Sequence, residues 1–193
     1  MSIDEHILVS YVQLHIKYML EYQKKNNIIN HCITNAQYLR DFIVANGMEA
    51  KVIAVLCLNY RQDVEGPVAV ATATSKICKR HMCVEMYGTV MEPSYQIASM
   101  ERKEFPNIYY QTIKEIKDCP MISQTEYKLT KEEITEFITF QKYAQEMNYN
   151  KLLVSDKDYY NKQADYVENK MSFITNNEGM TRKQYLTMLQ SRI

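Results

Sequence analysis

The sequence predicts an α+β fold, because helical and strand patterns occupy separate parts of the chain. Two helical stretches come first, a run of strands follows within residues 50–92, and helical patterns return near the C-terminus. Only four glycines and four prolines occur in 193 residues, which is few for an all-β protein with many tight turns. We therefore predict helices that pack on an antiparallel sheet.

The composition excludes several classes of protein. Hydrophobic residues make up 46% of the chain and charged residues 24%, so a sizeable core can form. The formal net charge is zero, whereas nucleic acids and anionic membranes usually bind basic proteins. No stretch approaches the ~18 consecutive apolar residues that span a membrane. We also see no basic segment before an apolar one, as a secretory signal requires. We expect neither nucleic acid nor membrane as a partner.

The cysteines indicate a reducing compartment. They are odd in number and form no Cys-x-x-Cys pair, so neither a disulfide framework nor a zinc ribbon is predicted. They are Cys32, Cys57, Cys78, Cys83 and Cys119. We predict reduced thiols and a cytoplasmic location. Abundant Tyr, Asn, Lys and Met without Trp is typical of an A·T-rich genome, and a viral source is one alternative.

The N-terminal third contains two predicted helices. Apolar residues recur at helical spacing over residues 4–25. A second helix runs from Cys32 toward Gly47, with Asn30 as the expected N-cap and Gly47 as the residue that ends it. Cys32 thus stands in the first turn of a helix.

Strand patterns follow Gly47. The β-branched residues of 50–59 predict a buried strand, 63–67 a turn, and the alternation of 68–74 a second strand. A third strand at 79–87 turns at Gly88 into 89–91, and the ladder ends at Glu92-Pro93 because proline cannot donate to it.

The C-terminal half is mostly helical. A short strand is expected at 126–129. A capping box at 130–133 opens one helix, and Ser155 with Asp158 opens a second helix that runs to Ile174. Thr181 opens the last helix. Residues 97–124 match no pattern clearly. We predict a catalytic core at 1–125 and a helical extension at 126–193, packed together as one domain.

Cys32, His81 and Glu92 are the candidate catalytic residues. A helix N-terminus favours the thiolate form of a cysteine, because the positive end of the macrodipole lies there. In the predicted hairpin, His81 and Glu92 lie at the same open end of neighbouring strands. Covalent cysteine chemistry needs such a thiol, an imidazole base and a group that orients the imidazole.

These residues resemble a known family, the transglutaminase-like branch of the papain-like cysteine enzymes. In that family the nucleophile opens a helix shaped like Cys32, Ala36, Leu39 and Gly47, followed later by a hairpin that begins with histidine and ends with Asp-Pro-Thr. The corresponding run here extends from His81 to Ser94, and the whole match covers roughly residues 28–96. Glu92 replaces the usual aspartate, Cys83 replaces the usual aromatic residue, and His31 precedes the nucleophile where a small residue is common.

The resemblance implies a papain-like fold and a cysteine-dependent amide-bond hydrolase, a peptidase or isopeptidase acting on a protein or peptide. Cys32 attacks the carbonyl, His81 carries the proton, and Glu92 orients His81. The backbone N–H of Cys32 binds the oxyanion, with Gln13 or Asn30 as candidates for a second donor. We expect no cofactor and no metal.

Three alternatives stay open at this stage. The same triad supports a transamidase or acyltransferase, because only the acceptor of the thioester differs. A non-catalytic interaction module or virion-structural protein with the same fold is a second. Zinc bound by Cys32, Cys83 and His81 is a third, which lacks a fourth ligand. The oligomeric state is not predicted.

Overall fold

The computed structural model describes most of the N-terminal half and one C-terminal helix. It covers residues 3–60, 67–69, 81–98, 108–111 and 156–177, and the single residues 132, 135, 138, 139, 142 and 154. The elements in chain order are α1 (Ile3–Lys25), α2 (Cys32–Ala45), β1 (Lys51–Tyr60), β2 (Pro67–Ala69), β3 (His81–Met86), β4 (Thr89–Met91), β5 (Ile108–Gln111) and α3 (Lys157–Asn177). The predicted α+β class is confirmed.

Strand β1 is the centre of an antiparallel sheet. Its first half pairs with β3, with Val52 opposite Val84, and β4 pairs with the other edge of β3. Its second half pairs with both β2 and β5. Strand β5 falls within residues 97–124, where the sequence shows no clear pattern. Pro67 is the first residue of β2, whereas the sequence predicted it as the last residue of a turn.

The hairpin between β3 and β4 forms as predicted. Met86 pairs with Thr89, so the loop contains only Tyr87 and Gly88. Both loop residues have positive φ, 49° and 73° respectively, as a type I′ turn requires. This short loop fixes the register of the two strands, and with it the position of Glu92 relative to β3.

Helix α2 begins at Cys32 and ends before Gly47, as predicted, but its N-cap is one residue later than the predicted one. Gly47 has φ 79°, and the N–H of Met48 donates to the carbonyl of Ile43 at 3.2 Å, a Schellman arrangement. At the other end the N-cap is His31, and its side chain makes no capping hydrogen bond. The prediction of Asn30 as N-cap was wrong, because its φ of 61° turns the chain outside the helix.

The core lies between the helices and one face of the sheet. Side chains from α1, α2, β3 and α3 form one buried cluster, which includes Met19, Leu39, Ile43, Met82, Val84 and Val167. Helix α3 begins at the carboxylate of Asp156, which accepts the backbone N–H of Tyr159 at 3.0 Å. Asp156 thus caps a helix predicted to open at Ser155, a residue outside the described ones.

Other predictions fall outside the described residues. These are the turn at 63–66, most of the strand at 68–74, the strand at 126–129 and the helix that opens at Thr181. Glu132, Thr135 and Ile138 are helical, at positions where the sequence predicts a helix. Among the described helices, none has both the length and the apolar character needed to cross a bilayer.

His15 is a histidine enclosed by the core. Its ring stacks on Phe42 with centroids 3.5 Å apart, and its Nε2 hydrogen-bonds the Tyr38 hydroxyl at 2.9 Å. Burial lowers the pKa of His15 from 6.5 to about 3, since a charged imidazole there loses its hydration. The side chain is therefore neutral in the folded protein at any pH near neutrality.

We predict that His15 makes the protein less stable in mild acid. Between pH 6.5 and about 3 the unfolded chain protonates this histidine and the folded chain does not. The stability from neutral His15 is present above pH 6.5 and is lost progressively as the pH falls toward 3. Linkage gives a loss of about 2 kcal/mol between pH 7 and pH 5, measured by urea unfolding at each pH.

Two variants separate this effect from other titrations. His15→Gln removes the titrating group, so its stability should depend less on pH over the same range. His6→Gln changes an exposed histidine on α1 and should keep the wild-type dependence. Equal pH dependence in wild type and His15→Gln would contradict the assignment.

Candidate active site

The structure brings His81 and Glu92 into direct contact. Nε2 of His81 and Oε2 of Glu92 lie 2.6 Å apart. Only 3% of the His81 side chain and 10% of the Glu92 side chain is exposed. A buried pair at this distance interacts strongly, because little water screens the two groups. The predicted contact between the side chains of His81 and Glu92 is therefore present.

The strand register explains this contact. Val84 pairs with Met91, so Glu92, the next residue, lies opposite Cys83. Side chains alternate along a strand, and His81 therefore shares its face with Cys83. The longer side chain of glutamate, compared with aspartate, reaches from its place opposite Cys83 to His81.

Cys83 takes part in the same cluster through a contact with Glu92 that the sequence analysis did not predict. Its Sγ donates to Oε2 of Glu92 at 3.6 Å, and the residue is fully buried. Burial, and then the negative charge of Glu92, raise the pKa of the Cys83 thiol, and His81 acts in the opposite direction. Cys83 is therefore a protonated hydrogen-bond donor at neutral pH.

Cys32 is the first residue of α2. Its side chain is half-buried and packs against the core. Its charge contributes to the raised pKa of Cys83, which places the two thiols within electrostatic range.

Ser94 connects Glu92 to the first turns of α2. Its N–H donates to Oε1 of Glu92 at 2.8 Å, and its hydroxyl accepts from the side-chain nitrogen of Asn35 at 3.3 Å.

Gln23 at the end of α1 holds the segment that follows Glu92. Its amide nitrogen donates to the carbonyl of Pro93 at 2.8 Å, and its amide oxygen accepts the N–H of Tyr95 at 2.7 Å. The same nitrogen also contacts Gln163 of α3 at 2.9 Å. Gln23 is buried, so these bonds form away from water and fix the chain beyond the catalytic carboxylate.

Helix α3 contributes a tyrosine to this region. The hydroxyl of Tyr159 donates at 2.5 Å to the side-chain oxygen of Asn35, the residue whose nitrogen bonds Ser94. The Tyr159 ring also lies 4.5 Å from that of His31, and Nδ1 of His31 is 3.8 Å from Asp156. The C-terminal helix therefore packs directly beside the start of α2.

The two predicted oxyanion donors, Gln13 and Asn30, lie in different parts of the fold. Gln13 is exposed on α1, ten residues or about 15 Å before Gln23 along the helix. Asn30 is exposed two residues before Cys32, and its backbone N–H donates to Oε1 of Gln96 at 3.3 Å. Gln96 is thus an amide side chain near the nucleophile that the sequence analysis did not consider.

Sequence reasoning missed Gln23 and Gln96 as members of this region. It named Cys83 only as a replaced aromatic residue and as a ligand in the zinc alternative, and Ser94 only as the end of the matched run. For Cys83 a signal existed, since strand alternation places it on the face of His81. Gln23 and Gln96 carry no local signal, because their partners are up to 72 residues away in sequence.

Comparisons with known proteins add no family assignment. No protein-family model matches the chain, and no curated protein or solved structure is detectably similar to it. What the structure establishes is the α+β fold class and the geometry of the His81, Cys83 and Glu92 cluster.

We predict that Gln23→Met destabilises the protein by about 2–4 kcal/mol. Methionine has a similar size but leaves the Pro93 carbonyl and the Tyr95 N–H without their partner, and each buried unpaired group costs about 1–3 kcal/mol. Chemical denaturation measures the change. Gln13→Met, at an exposed position of the same helix, is the matched control and should stay within about 0.5 kcal/mol of wild type. Equal stability of the two variants would contradict the role of Gln23.

Proposed function

We propose that the protein is a cysteine-dependent amide-bond hydrolase of papain-like, transglutaminase-like architecture. Cys32 is the nucleophile, His81 the general base and acid, and Glu92 the group that orients His81. The observation that carries the proposal is the buried contact of 2.6 Å between His81 and Glu92 beside the start of the Cys32 helix. Such a pair is what an imidazole base needs to act on a nearby thiol.

Glu92 selects the tautomer of His81. A carboxylate at Nε2 holds the ring proton on that nitrogen, so Nδ1 carries the lone pair that accepts a proton from Cys32. The negative charge of Glu92 then stabilises the imidazolium that forms. The N–H of Ser94 and the thiol of Cys83 both donate to Glu92, and these hydrogen bonds fix the position of its carboxylate.

The proposed reaction has two stages. In the first, the Cys32 sulfur attacks the amide carbonyl, and its proton passes to His81. The C–N bond then breaks, His81 returns the proton to the leaving amine, and a thioester remains on Cys32. In the second, water attacks the thioester and gives a proton to His81. The C–S bond breaks, the acid departs, and the proton returns to Cys32.

The oxyanion of each stage needs hydrogen-bond donors. The backbone N–H of Cys32 is one, because the first N–H groups of a helix point out of its N-terminus. We propose Gln96 as the second donor. Its amide oxygen accepts the backbone N–H of Asn30, two residues before Cys32, and its amide NH₂ is a hydrogen-bond donor of the kind that an oxyanion needs.

The choice of water as acceptor separates a hydrolase from a transamidase or acyltransferase. The triad serves both reactions, since each passes through the same thioester. A hydrolase of protein or peptide amides is the simpler proposal, because it needs no second substrate site. No cofactor is part of this mechanism.

We predict that Cys32 reacts with iodoacetamide at neutral pH faster than the other cysteines, and that His81→Ala slows this reaction about tenfold or more. Cys83 should remain unmodified in the folded protein, because it is buried and its pKa is raised. Peptide mapping by mass spectrometry measures each rate. Glu92→Gln should give an intermediate rate, since Gln still accepts a hydrogen bond from His81 but carries no charge.

His6→Ala is the matched control, because it removes an exposed histidine on α1. Its Cys32 should react as fast as in wild type. If Cys32 reacts no faster than Cys57 or Cys119 in wild type, and His81→Ala changes nothing, the chain is better described as a non-catalytic interaction or structural module.

We predict that substrate profiling with a peptide and isopeptide library gives products with wild type and none with Cys32→Ala. Gln96→Glu keeps the acceptor for Asn30 but loses the donating NH₂, so its turnover should fall about 100-fold or more. Gln13→Glu is the control and should retain wild-type turnover. Product only in the presence of an added amine would replace the hydrolase by a transamidase.

A further inference from the structure

His81, Cys83 and Glu92 together offer three donor atoms of different chemistry. The ring nitrogen, the sulfur and the carboxylate oxygen all lie within 4.8 Å of one another. Imidazole, thiolate and carboxylate are the three side-chain ligands that zinc takes in proteins. The sequence argument against zinc counted Cys32, Cys83 and His81 and found no further ligand, whereas the structure places Glu92 against both Cys83 and His81.

The spacing of the three atoms suits a tetrahedral ion. With metal–ligand bonds of about 2.0–2.3 Å, ligand atoms of a tetrahedral zinc site lie about 3.3–3.8 Å apart. The sulfur and the carboxylate oxygen are already 3.6 Å apart. The nitrogen and the oxygen, now 2.6 Å apart, need to separate by about 0.7 Å, which rotation of the Glu92 side chain provides.

The backbone of the cluster is already rigid. His81 and Cys83 lie in the same strand, and the two-residue turn at Tyr87 and Gly88 holds Glu92 opposite Cys83. Three ligands from one hairpin need no closure of a long loop, so the entropic cost of assembling the site is small.

We infer that His81, Cys83 and Glu92 bind Zn²⁺ through Nε2, Sγ and a carboxylate oxygen, and that the ion inhibits the enzyme reversibly. Binding releases the thiol proton of Cys83 to the buffer. It also moves the ring proton of His81 from Nε2 to Nδ1, so Nδ1 no longer accepts the proton of Cys32. The inhibition rests on the proposed function, whereas the binding of the ion does not. Water or Cys32 completes the four-coordinate site.

The experiment is a Zn²⁺ titration of the reduced, metal-free full chain in competition with a chromophoric chelator. We expect one tight site in wild type and in Cys32→Ser. Cys83→Ser and Glu92→Gln should each weaken binding about tenfold or more, since loss even of groups that only support a metal ligand costs 10–100-fold. Cys57→Ser, which changes a thiol of β1, is the control and should bind as wild type does. Circular dichroism of each variant checks the fold, and Glu92→Gln serves if Cys83→Ser does not fold.

Cobalt and alkylation supply two independent measurements. Co²⁺ should give a thiolate charge-transfer band in Cys32→Ser that is absent from Cys83→Ser. Zn²⁺ should slow iodoacetamide labelling of Cys32 in wild type but not in Cys83→Ser. No tight site in wild type, or affinity in both Cys83→Ser and Glu92→Gln that equals the affinity of wild type, would overturn the metal site. If wild type binds Zn²⁺ tightly but its Cys32 reacts with iodoacetamide no faster than an ordinary thiol, the proposed enzyme and its inhibition are overturned. The metal site then stands.

Discussion

The hydrogen bond between His81 and Glu92 is the interaction on which the candidate site depends. Two ionisable groups are removed from water almost completely, and such burial is costly unless every polar atom finds a partner. Glu92 uses both oxygens, one for His81 and Cys83 and the other for the N–H of Ser94. The segment from Cys83 to Ser94 is therefore organised as much around this carboxylate as around the strand pairing.

The second set of buried polar groups holds that segment in place. Gln23 binds both sides of Ser94 through Pro93 and Tyr95, and Asn35 binds the Ser94 side chain. Tyr159 of α3 then bonds Asn35. Because these groups come from α1, α2 and α3, the position of the Glu92 carboxylate depends on the packing of all three helices. A buried network specifies one arrangement of helices more sharply than apolar packing does.

In the inferred metal site, a proton and a metal ion compete for the same atoms of His81 and Cys83. The atoms that orient the imidazole, Oε2 of Glu92 and Nε2 of His81, are also suitable ligands for a soft divalent ion once Cys83 is added. Cys83 therefore changes what the site can bind without removing any group that the proposed reaction uses.

The sequence by itself determined the elements that depend on local backbone geometry. The amphipathic helix of residues 4–25, the end of α2 at Gly47, the turn at Gly88 and the contact between His81 and Glu92 follow from periodicity, positive φ and a two-residue loop. These signals are readable because each acts within a few residues of the chain. The N-cap of α2 was misplaced by one residue, since the positive φ of Asn30, which excludes it as the cap, is not visible in the sequence.

Tertiary structure alone decided the rest of the site. Gln23 and Gln96 meet partners 72 and 66 residues away, and Tyr159 reaches Asn35 across 124 residues. Strand β5 likewise appears only through its pairing with β1. No local pattern encodes such contacts, because they depend on which faces of the helices and sheet are buried against each other. The sequence therefore determined which residues stand at the hairpin, and the packing of the helices decided how they are held.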